Sequence, residues 1–468
     1  MSPGASEALA SFVARARLAD LPANVVEHTE RAVLDWLGSA LAGSLEAPAA
    51  MARVVARTLG TGDDASCFPG GRGPAASAAL VNGIASHILE LDDVHKGSTL
   101  HAAAPVIPAA LAVAEREHAS GAAFLLAVAV GYDAALRVGE AVNPSHYRFF
   151  HPTGTAATFG AAAAAARVLG LDAAQMRDAL GSAGTQAAGL WEFNADGSMS
   201  KHLHPGKAAM NGILAADLAR VGFTGASRIL EGDRGFFRAL STGADADRVT
   251  SGLGETWKVA ENCYKLHSCC GHTHSAIDVA LDHRQARGWK ARDALAQVAR
   301  VEVETYGPGY EIVKEMNPTT PYQAKFSLAY VVAAALLEGT VGLAQFEASR
   351  FSPGGVIDSS LAVLLGRITV RVSPELTARY PQEWGTRVTV IHVDGSQVEL
   401  DAAFPRGNPE NPVSTDQLAA KAVALLAPRF GAEGAQASLA WVRGLRDASD
   451  MSTHTRTLMQ VVTQARHA

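Results

Sequence analysis

The spacing of apolar residues divides the chain into regions of different predicted secondary structure. From about residue 5 to residue 260, apolar residues recur at helical intervals in Ala-rich stretches such as HTERAVLDWLGSALAGS and TAATFGAAAAAARVLGLD, separated by Gly and Pro. Between about 265 and 405, QVARVEVETYG, RITVRVSPEL and TRVTVIHVDGSQVELDAAF alternate as β-strands do, with helical stretches such as YQAKFSLAYVVAAALLEG between them. Asp394-Gly395, within the third of these runs, predicts a hairpin with a two-residue turn.

After FPRGNPENPVS the helical pattern returns in TDQLAAKAVALLAPRF and continues toward the C-terminus. This order predicts a mainly α fold, in which an all-helical domain formed by both ends of the chain is interrupted by an inserted α+β domain. The predicted ranges are 1–262 for the first part of the helical domain, 263–406 for the α+β domain and 407–468 for the second part of the helical domain.

Composition and charge narrow the class of protein. The 468 residues are 48% hydrophobic and 18% charged, which is typical of a globular protein. A net charge of −6, without a dense Lys/Arg run, argues against nucleic acid as a partner. The N-terminus lacks the pattern of a secretory signal, and the longest apolar stretch, GAAFLLAVAVGYDAALRVG, is interrupted by Asp133 and Arg137. We therefore expect a cytoplasmic protein without a membrane partner, and the four cysteines form no disulfide framework.

Two segments of the helical half, SHYRFFHPTGTAATFG and SMSKHLHPGKAAMNGILAADLA, place a histidine before a proline that should open a helix. An extended His151 before Pro152, or His204 before Pro205, would lie at the positive end of a helix dipole, beside main-chain N–H groups. Further donors in the two segments are Tyr147, Arg148, Lys201 and Lys207. Both segments therefore indicate anion sites, and the alternative is that each is only a helix start.

A third segment, ELDDVHKGSTLH, concentrates ionisable groups between two apolar helices. Its titratable or charged residues are Glu90, Asp92, Asp93, His95, Lys96 and His101. Neighbouring carboxylates and histidines can shift one another's pKa values toward acid/base chemistry. A solvated surface loop is the alternative interpretation.

The run CYKLHSCCGHTH has the density of soft ligands that a zinc site would need. Its candidates are Cys263, His267, Cys269, Cys270, His272 and His274. Tetrahedral zinc usually takes pairs spaced as C-x₂-C, whereas Cys269 and Cys270 are adjacent and no second spaced pair lies nearby. The sequence therefore favours no metal at this run.

Seven segments, in this order, resemble the MmgE/PrpD family over essentially the whole chain: VLDWLGSALAGS, LELDDVHKGSTLHAAAPVIPA, FHPTGTAATFGAAAAAARVLGL, DGSMSKHLHPGKAAMNGILAADLA, YKLHSCCGHTHSAID, AKFSLAYVVAAALLEG and GNPENPVS. The family includes 2-methylcitrate dehydratase, cis-aconitate decarboxylase and iminodisuccinate epimerase. The resemblance implies an all-α domain built from both chain ends with an inserted α+β lid. It also implies a homodimer that needs no metal or organic cofactor and acts on small di- or tricarboxylates in a cleft between the domains.

The resemblance also assigns site residues by their position in these motifs. The family's acid, histidines and lysines would fall on Asp93, His101, His151, Lys201 and Lys265. Candidates for substrate binding are Tyr147, His204, Lys207 and His272. The Cys/His run would then be a hinge that carries Lys265 and His272 to the cleft, with its cysteines as packing groups.

The match to decarboxylase-like members is incomplete. Glu90 and Val94 stand where those members have Asp and Thr, HKGSTLH is one residue longer, and Cys270 takes the place of a catalytic His. These departures argue against a cis-aconitate decarboxylase and leave the substrate open.

The chemistry of these residue types suits proton abstraction next to a carboxylate. That step builds a second negative charge on an anionic group, so it needs a positioned base and cations, which Lys201, Lys265, His101 and His151 could supply. A leaving group on the next carbon gives elimination, as in a 2-methylcitrate dehydratase, and reprotonation from the opposite face gives epimerisation, as in an iminodisuccinate epimerase. Neither outcome needs a cofactor, and the chain has no P-loop or dinucleotide fingerprint. A non-catalytic carboxylate-binding relative is the remaining alternative.

Overall fold

The computed structural model describes residues 4–290 and 292–467. The chain forms two compact units. Unit 1 takes its residues from Met1–Ile88, Asp92–Asn262 and Ser414–Ala468, and unit 2 from Leu89–Leu91 and Cys263–Val413. The chain returns to unit 1 at Ser414, whereas the sequence pattern predicted this change at residue 407. In addition, the three-residue segment Leu89–Leu91 groups with unit 2.

Unit 1 is built from helices, because its Ala-rich stretches with helical spacing bury their apolar faces against one another. Its helices are α1 (Ala5–Arg15), α2 (Ala23–Gly43), α3 (Ala47–Ala56), α4 (Ala75–His87), α5 (Ala103–Arg116), α6 (Gly121–Val142), α7 (Ala156–Val168), α8 (Ala173–Gly184), α9 (Phe193–Asp196), α10 (Ser200–Arg220), α11 (Phe236–Leu240), α12 (Asp247–Thr250), α20 (Thr415–Arg443) and α21 (Met451–His467). Two short antiparallel strands of two residues each, β1 (Ala65–Ser66) and β2 (Arg72–Gly73), depart from the predicted all-helical character.

Helix α6 lies in the core of unit 1. By length and composition it could cross a membrane, but 89% of its most apolar window is buried within the protein, as in a core helix. Two of its three charged residues, Asp133 and Arg137, are buried as well, and they form an ion pair in which Arg137 Nε lies 2.7 Å from Asp133 Oδ1. Arg137 also donates to the carbonyl oxygens of Ser251 and Thr256 at 2.6 and 2.7 Å. These contacts satisfy the charges that interrupt the apolar stretch.

The C-terminal helices belong to the same core as the N-terminal ones. Lys421 Nζ on α20 lies 2.6 Å from Asp35 Oδ1 on α2, in an ion pair whose carboxylate is fully buried. Helix α20 is kinked at Phe430 and Gly431, where Gly431 adopts a φ of 65°. Both ends of the chain therefore build one helical unit.

Unit 2 combines a four-stranded sheet with helices. Its helices are α13 (His274–Ala286), α14 (Asp293–Gln297), α15 (Gly307–Val313), α16 (Pro321–Lys325), α17 (Leu328–Glu338), α18 (Ser359–Leu365) and α19 (Pro374–Arg379), and its strands are β3 (Val298–Thr305), β4 (Phe351–Ser352), β5 (Gly355–Val356), β6 (Ile368–Val372), β7 (Thr386–His392) and β8 (Gln397–Ala402). The sheet order is β6-β3-β7-β8, with β3 and β6 parallel and the other pairs antiparallel. The predicted mainly α fold with a smaller β-containing region is confirmed.

The β7–β8 hairpin forms where the sequence predicts it, but with a different turn. The N–H of Gly395 donates to the carbonyl of His392 at 3.0 Å, so Val393 and Asp394 are the central residues of the turn. Gly395 follows the turn with a φ of 84°. A turn followed by a left-handed glycine is typical of a slightly longer hairpin loop, and the predicted two-residue turn at Asp394-Gly395 is therefore wrong in register.

Candidate active site

Helices α4 and α10 cross at very short distance, and this crossing positions the candidate site of unit 1. A Cβ atom at Gly83 would lie 2.7 Å from the Cα atom of Gly206, and one at Gly206 would lie 2.5 Å from the carbonyl oxygen of Leu80. Only glycine permits such an approach. The crossing brings His87, the last residue of α4, to the first turn of α10, where its ring centroid is 6.4 Å from that of His202.

Three histidine rings from different segments of unit 1 form a cluster. The ring centroids of His87 and His101 are 4.7 Å apart in an edge-to-face contact, and those of His87 and His151 are 5.6 Å apart and stacked. The rings of His101 and His151 are 6.3 Å apart. His87 and His151 are buried, and the side chain of His101 is 12% exposed. The structure therefore brings the predicted His101 and His151 together, and it adds His87.

Hydrogen bonds fix the orientation of two of these rings. Nδ1 of His87 donates to Asp92 Oδ2 at 2.6 Å. Nδ1 of His101 donates to the main-chain carbonyl oxygen of Asp93 at 2.5 Å, and it lies 3.4 Å from Asp92 Oδ2. Because carboxylate and carbonyl oxygens only accept, both rings carry a proton on Nδ1.

His151 and His204 form a pair next to a buried lysine. Their Nδ1 atoms are 3.0 Å apart, so one ring donates and the other accepts. Burial lowers the pKa of His151 well below its usual value, and the charges of His204, His87 and Lys201 lower it further. Burial also lowers the pKa of His204 to about 4. Both rings are therefore neutral at pH 7, while the buried Lys201 supplies positive charge near them.

The carboxylate of Asp93 is engaged by groups of the fold. Its Oδ2 accepts from the phenol of Tyr132 at 2.6 Å and from the amide of Asn262 at 2.8 Å, and its Oδ1 accepts from the N–H of Ala103 at 3.1 Å. Burial raises the pKa of Asp93 to about 7, against the effect of the Tyr132 hydrogen bond. Asp93 thus braces the start of α5, and the carboxylate that contacts the histidine rings is that of Asp92.

Lys207 and Tyr147, two candidates for substrate binding, have partners within unit 1. Burial lowers the pKa of Lys207 to about 8. The carbonyl oxygens within 3.3 Å of its Nζ belong to Gly154, Gln186 and Ala188. These contacts join α10 to the segment before α7 and to the segment after α8. The ring of Tyr147 packs edge-on against Trp191 at 5.0 Å, and Trp191 makes the same contact with His151.

The predicted helix starts at the two His-Pro pairs are wrong. Helix α10 begins at Ser200, so His204 and Pro205 lie inside it, and His204 is helical. Helix α7 begins at Ala156, after a turn that contains Pro152. Neither histidine is therefore the extended residue at a helix N-terminus, and their meeting results from the packing of the two segments.

Unit 2 contains a buried ion pair between Lys265 and Glu90. Lys265 Nζ lies 3.4 Å from Glu90 Oε2, and both side chains are 2% exposed. Glu90 adopts a φ of 58°, which is uncommon for a residue other than glycine and turns the chain sharply. The preceding carbonyl, that of Leu89, accepts from Ser268 Oγ at 2.6 Å and from Lys325 Nζ at 3.2 Å. These contacts hold Leu89–Leu91 to the segment that carries Lys265.

His272, the remaining candidate for substrate binding, lies in an aromatic environment in unit 2. Its Nδ1 is 2.6 Å from the phenolic oxygen of Tyr306, and its ring centroid is 4.5 Å from that of Trp384. Burial, and then the charge of Lys265, lower the pKa of His272 to about 3. The ring is therefore neutral, and Tyr306 fixes its orientation.

The cysteines of the Cys/His run pack in the apolar core of unit 2. Cys269 and Cys270 are both buried there. Burial raises the pKa of Cys269 to about 12, so this thiol packs as a neutral group at pH 7. The four cysteines are free thiols.

Potential metal ligands converge elsewhere in the part of the chain that the structure describes. Two groups have ligand atoms within 4.8 Å of one another: His87, His101 and His151; and His95, Glu140 and Glu261. One tetrahedral zinc ion would bring imidazole nitrogens to roughly 3.3 Å from each other, since each Zn–N bond is about 2.0 Å. In the second group Lys258 Nζ lies 3.1 Å from Glu140 and 3.0 Å from Glu261, so a lysine already supplies the positive charge.

Of the residues that form these clusters, His87 was not named from the sequence, and Glu90 and Asp92 were named only as ionisable groups of ELDDVHKGSTLH. All three lie in HILELDD, where the candidate Asp93 directly follows Asp92. The sequence did contain a feature that could have indicated His87, because this residue stands at the end of an apolar helix beside the acidic run. Spacing alone could not show which of two adjacent carboxylates faces the histidines.

Comparison with known proteins matches both halves of the chain to one family. The MmgE/PrpD N-terminal domain matches residues 7–249, and the MmgE/PrpD C-terminal domain matches residues 267–447. A cis-aconitate decarboxylase-like protein of Aspergillus oryzae is 30% identical over 95% of each chain. The cis-aconitate decarboxylase of Aspergillus terreus is 29% identical over 83% of this chain and 82% of its own, and that of Homo sapiens is 26% identical over 97% and 94%. The chain therefore belongs to the MmgE/PrpD family, as its motifs predicted.

Proposed function

We propose that this protein is a cofactor-independent lyase that moves a proton at the carbon next to a carboxylate of a small di- or tricarboxylate, as a 2-methylcitrate dehydratase does. The observation that carries the proposal is the cluster of three imidazoles, with two fixed proton positions and a buried lysine nearby, in unit 1. A neutral imidazole can accept a proton and become an imidazolium, which can then donate that proton.

The lysines supply the positive charge that this chemistry needs. A carbanion next to a carboxylate concentrates two negative charges, and a fixed cation in a buried site stabilises it more strongly than in water. Lys201 lies near His151 and His204, whose pKa values its charge lowers. Lys265 is a buried cation of unit 2, where it pairs with Glu90, and the family resemblance assigns it to the same chemistry.

The proposed elimination begins with proton abstraction. A base takes the proton from the carbon next to the carboxylate, and the electron pair forms a double bond to the neighbouring carbon. The hydroxyl on that neighbouring carbon leaves with a proton from a protonated side chain, for which the ammonium group of Lys201 is the candidate, so the products are water and an unsaturated acid. If the carbanion is instead reprotonated from the opposite face, the same groups perform an epimerisation.

Decarboxylation is a second candidate, favoured by the names of the curated relatives. In that reaction the bond to a carboxylate breaks, CO₂ leaves, and a protonated side chain donates a proton to the carbon that retains the electron pair. Against it stand Glu90, Val94 and Cys270, which differ from the residues of decarboxylase-like members.

A substrate panel separates these reactions. Purified protein is incubated with hydroxy-, amino- and unsaturated di- and tricarboxylates. A dehydratase produces an alkene that absorbs in the far ultraviolet, a decarboxylase releases CO₂, and an epimerase changes optical rotation without loss of mass. Binding of a carboxylate without turnover of any member of the panel would instead support the non-catalytic alternative.

A further inference from the structure

The pairing of His87 with Asp92 is the shortest contact between an imidazole and a carboxylate in the histidine cluster. Both side chains are fully buried, and 2.6 Å separates Nδ1 of His87 from Oδ2 of Asp92. A buried carboxylate in this position holds the ring in one tautomer and stabilises the imidazolium that forms when the ring takes a proton. The pair therefore has the geometry of an oriented general base.

The other nitrogen of His87 is the one available for chemistry. Its Nε2 is buried and has no hydrogen-bond partner among the residues that the structure describes. Other buried ring nitrogens, such as Nε2 of His283, also lack a partner among the described residues, so the position of Nε2 of His87 within the histidine cluster is what distinguishes it. Here the ring packs between His101 and His151, so a substrate group in this cluster would satisfy the atom.

The neighbouring histidines are less suited to be the base. His151 shares its Nδ1 contact with His204, a neutral imidazole, and burial holds its pKa well below the usual value. His101 donates Nδ1 to a main-chain carbonyl at 2.5 Å, and its distance to Asp92 is longer, 3.4 Å. A carbonyl dipole stabilises an imidazolium less than a carboxylate does. Of the three rings, His87 thus has the strongest support for taking a proton.

We propose that His87 is the general base of the reaction and that Asp92 is its positioning residue. This inference rests on the proposed function and assigns a step within it. Nε2 of His87 takes the proton from the carbon next to a substrate carboxylate, and the C–H electron pair stays on the substrate. The proton remains on Nε2 as imidazolium, paired with Asp92, until it is returned to solvent or to product.

Two substitutions at His87 and one at Asp92 test the assignment. His87→Ala removes the ring, and His87→Gln keeps a donor for Asp92 but has no basic nitrogen. Each should lower kcat by ~10²-fold or more and abolish deuterium uptake into substrate in D₂O. Asp92→Asn should lower kcat by at least about tenfold, because an amide N–H₂ turned toward the ring selects the wrong tautomer.

Added imidazole distinguishes a lost base from a damaged fold. Imidazole at tens of millimolar, an excess on the order of that used to fill a deleted side-chain site, should restore part of the turnover of His87→Ala and none of that of Asp92→Asn. The matched control is His283→Gln, which changes a buried histidine of unit 2 that packs on Trp289. It should keep turnover close to that of the unmodified protein. Circular dichroism of each variant verifies the fold.

The results separate the two levels of the proposal. If folded His87→Ala or His87→Gln turns over substrate at the unmodified rate, or still catalyses deuterium exchange, His87 is not the base. If imidazole fails to restore a folded His87→Ala variant, the assignment is likewise overturned. If the unmodified protein and His283→Gln convert no member of the carboxylate panel, the proposed function itself fails.

Discussion

Replacing Asp93 by asparagine tests the electrostatics of a buried brace. Burial raises the pKa of Asp93 from 3.8 to about 7. In the window between these values the folded protein holds a proton that the unfolded chain releases. The folded state binds more protons there, so the contribution of Asp93 to the free energy of unfolding is present at low pH and is lost as pH rises through 7. Between pH 5 and pH 8 the free energy of unfolding contributed by Asp93 falls by about 2.5 kcal/mol. Asparagine does not titrate, so the Asp93→Asn variant does not show this decrease.

Thermal melts of both proteins from pH 5 to pH 8 measure this difference. At pH 5 the Asp93→Asn variant should be the less stable, because an amide N–H₂ faces the donors of Tyr132 and Asn262. The gap in Tm should narrow by about 5 °C by pH 8, at about 2 °C per kcal/mol. A gap that stays constant with pH would refute the reasoning. Turnover within about tenfold of the unmodified protein supports a brace, and a loss of ~10²-fold would support the acid role that the family motif implies.

Four further outcomes are expected. Lys265→Met should lower kcat by ~10²-fold or more, because a buried cation is lost. It should also lower the free energy of unfolding by about 3 kcal/mol, because the buried Glu90 loses its ion-pair partner. The double variant Lys265→Met/Glu90→Gln should regain stability in urea melts but not turnover. Lys207→Met should lower Tm by several degrees, since three carbonyl contacts are lost, and scanning calorimetry measures the change. Turnover should survive exhaustive chelation and zinc analysis should give far less than one equivalent, whereas stoichiometric zinc on Cys269 and His272 would contradict this. Static light scattering at micromolar concentration should give the mass of a homodimer, and a monomer would count against the expectation.

Much of the secondary structure followed from local pattern. The alternating runs became β3, β6 and the β7–β8 hairpin, and the Ala-rich stretches became buried helices. These predictions succeeded because the period of apolar residues reflects which face of an element is buried, and near neighbours set that period. The break between α16 and α17 was missed, because the side chain of Ser327 caps a new helix within a stretch that was predicted to be one continuous helix.

The candidate site followed from the sequence only in part. Motif order brought forward His101, His151 and Lys201, which share one region of unit 1. It did not distinguish Asp92 from Asp93, because adjacent residues in a loop can point in different directions and only their partners decide which one faces the histidines. It also misplaced His204, since a helix that begins at Ser200 turns a predicted cap residue into an interior one.

The sequence by itself determined the helical and strand periods, the interrupted order of the two units and the family, all of which depend on local composition or on the order of motifs. Only the tertiary structure decided which polar groups meet. Lys265 and Glu90 are 175 positions apart, and His87 reaches the start of α10 through the close crossing at Gly83 and Gly206. Such contacts depend on the distance at which helices pack, which long-range side-chain volumes set and which no local spacing of residues encodes.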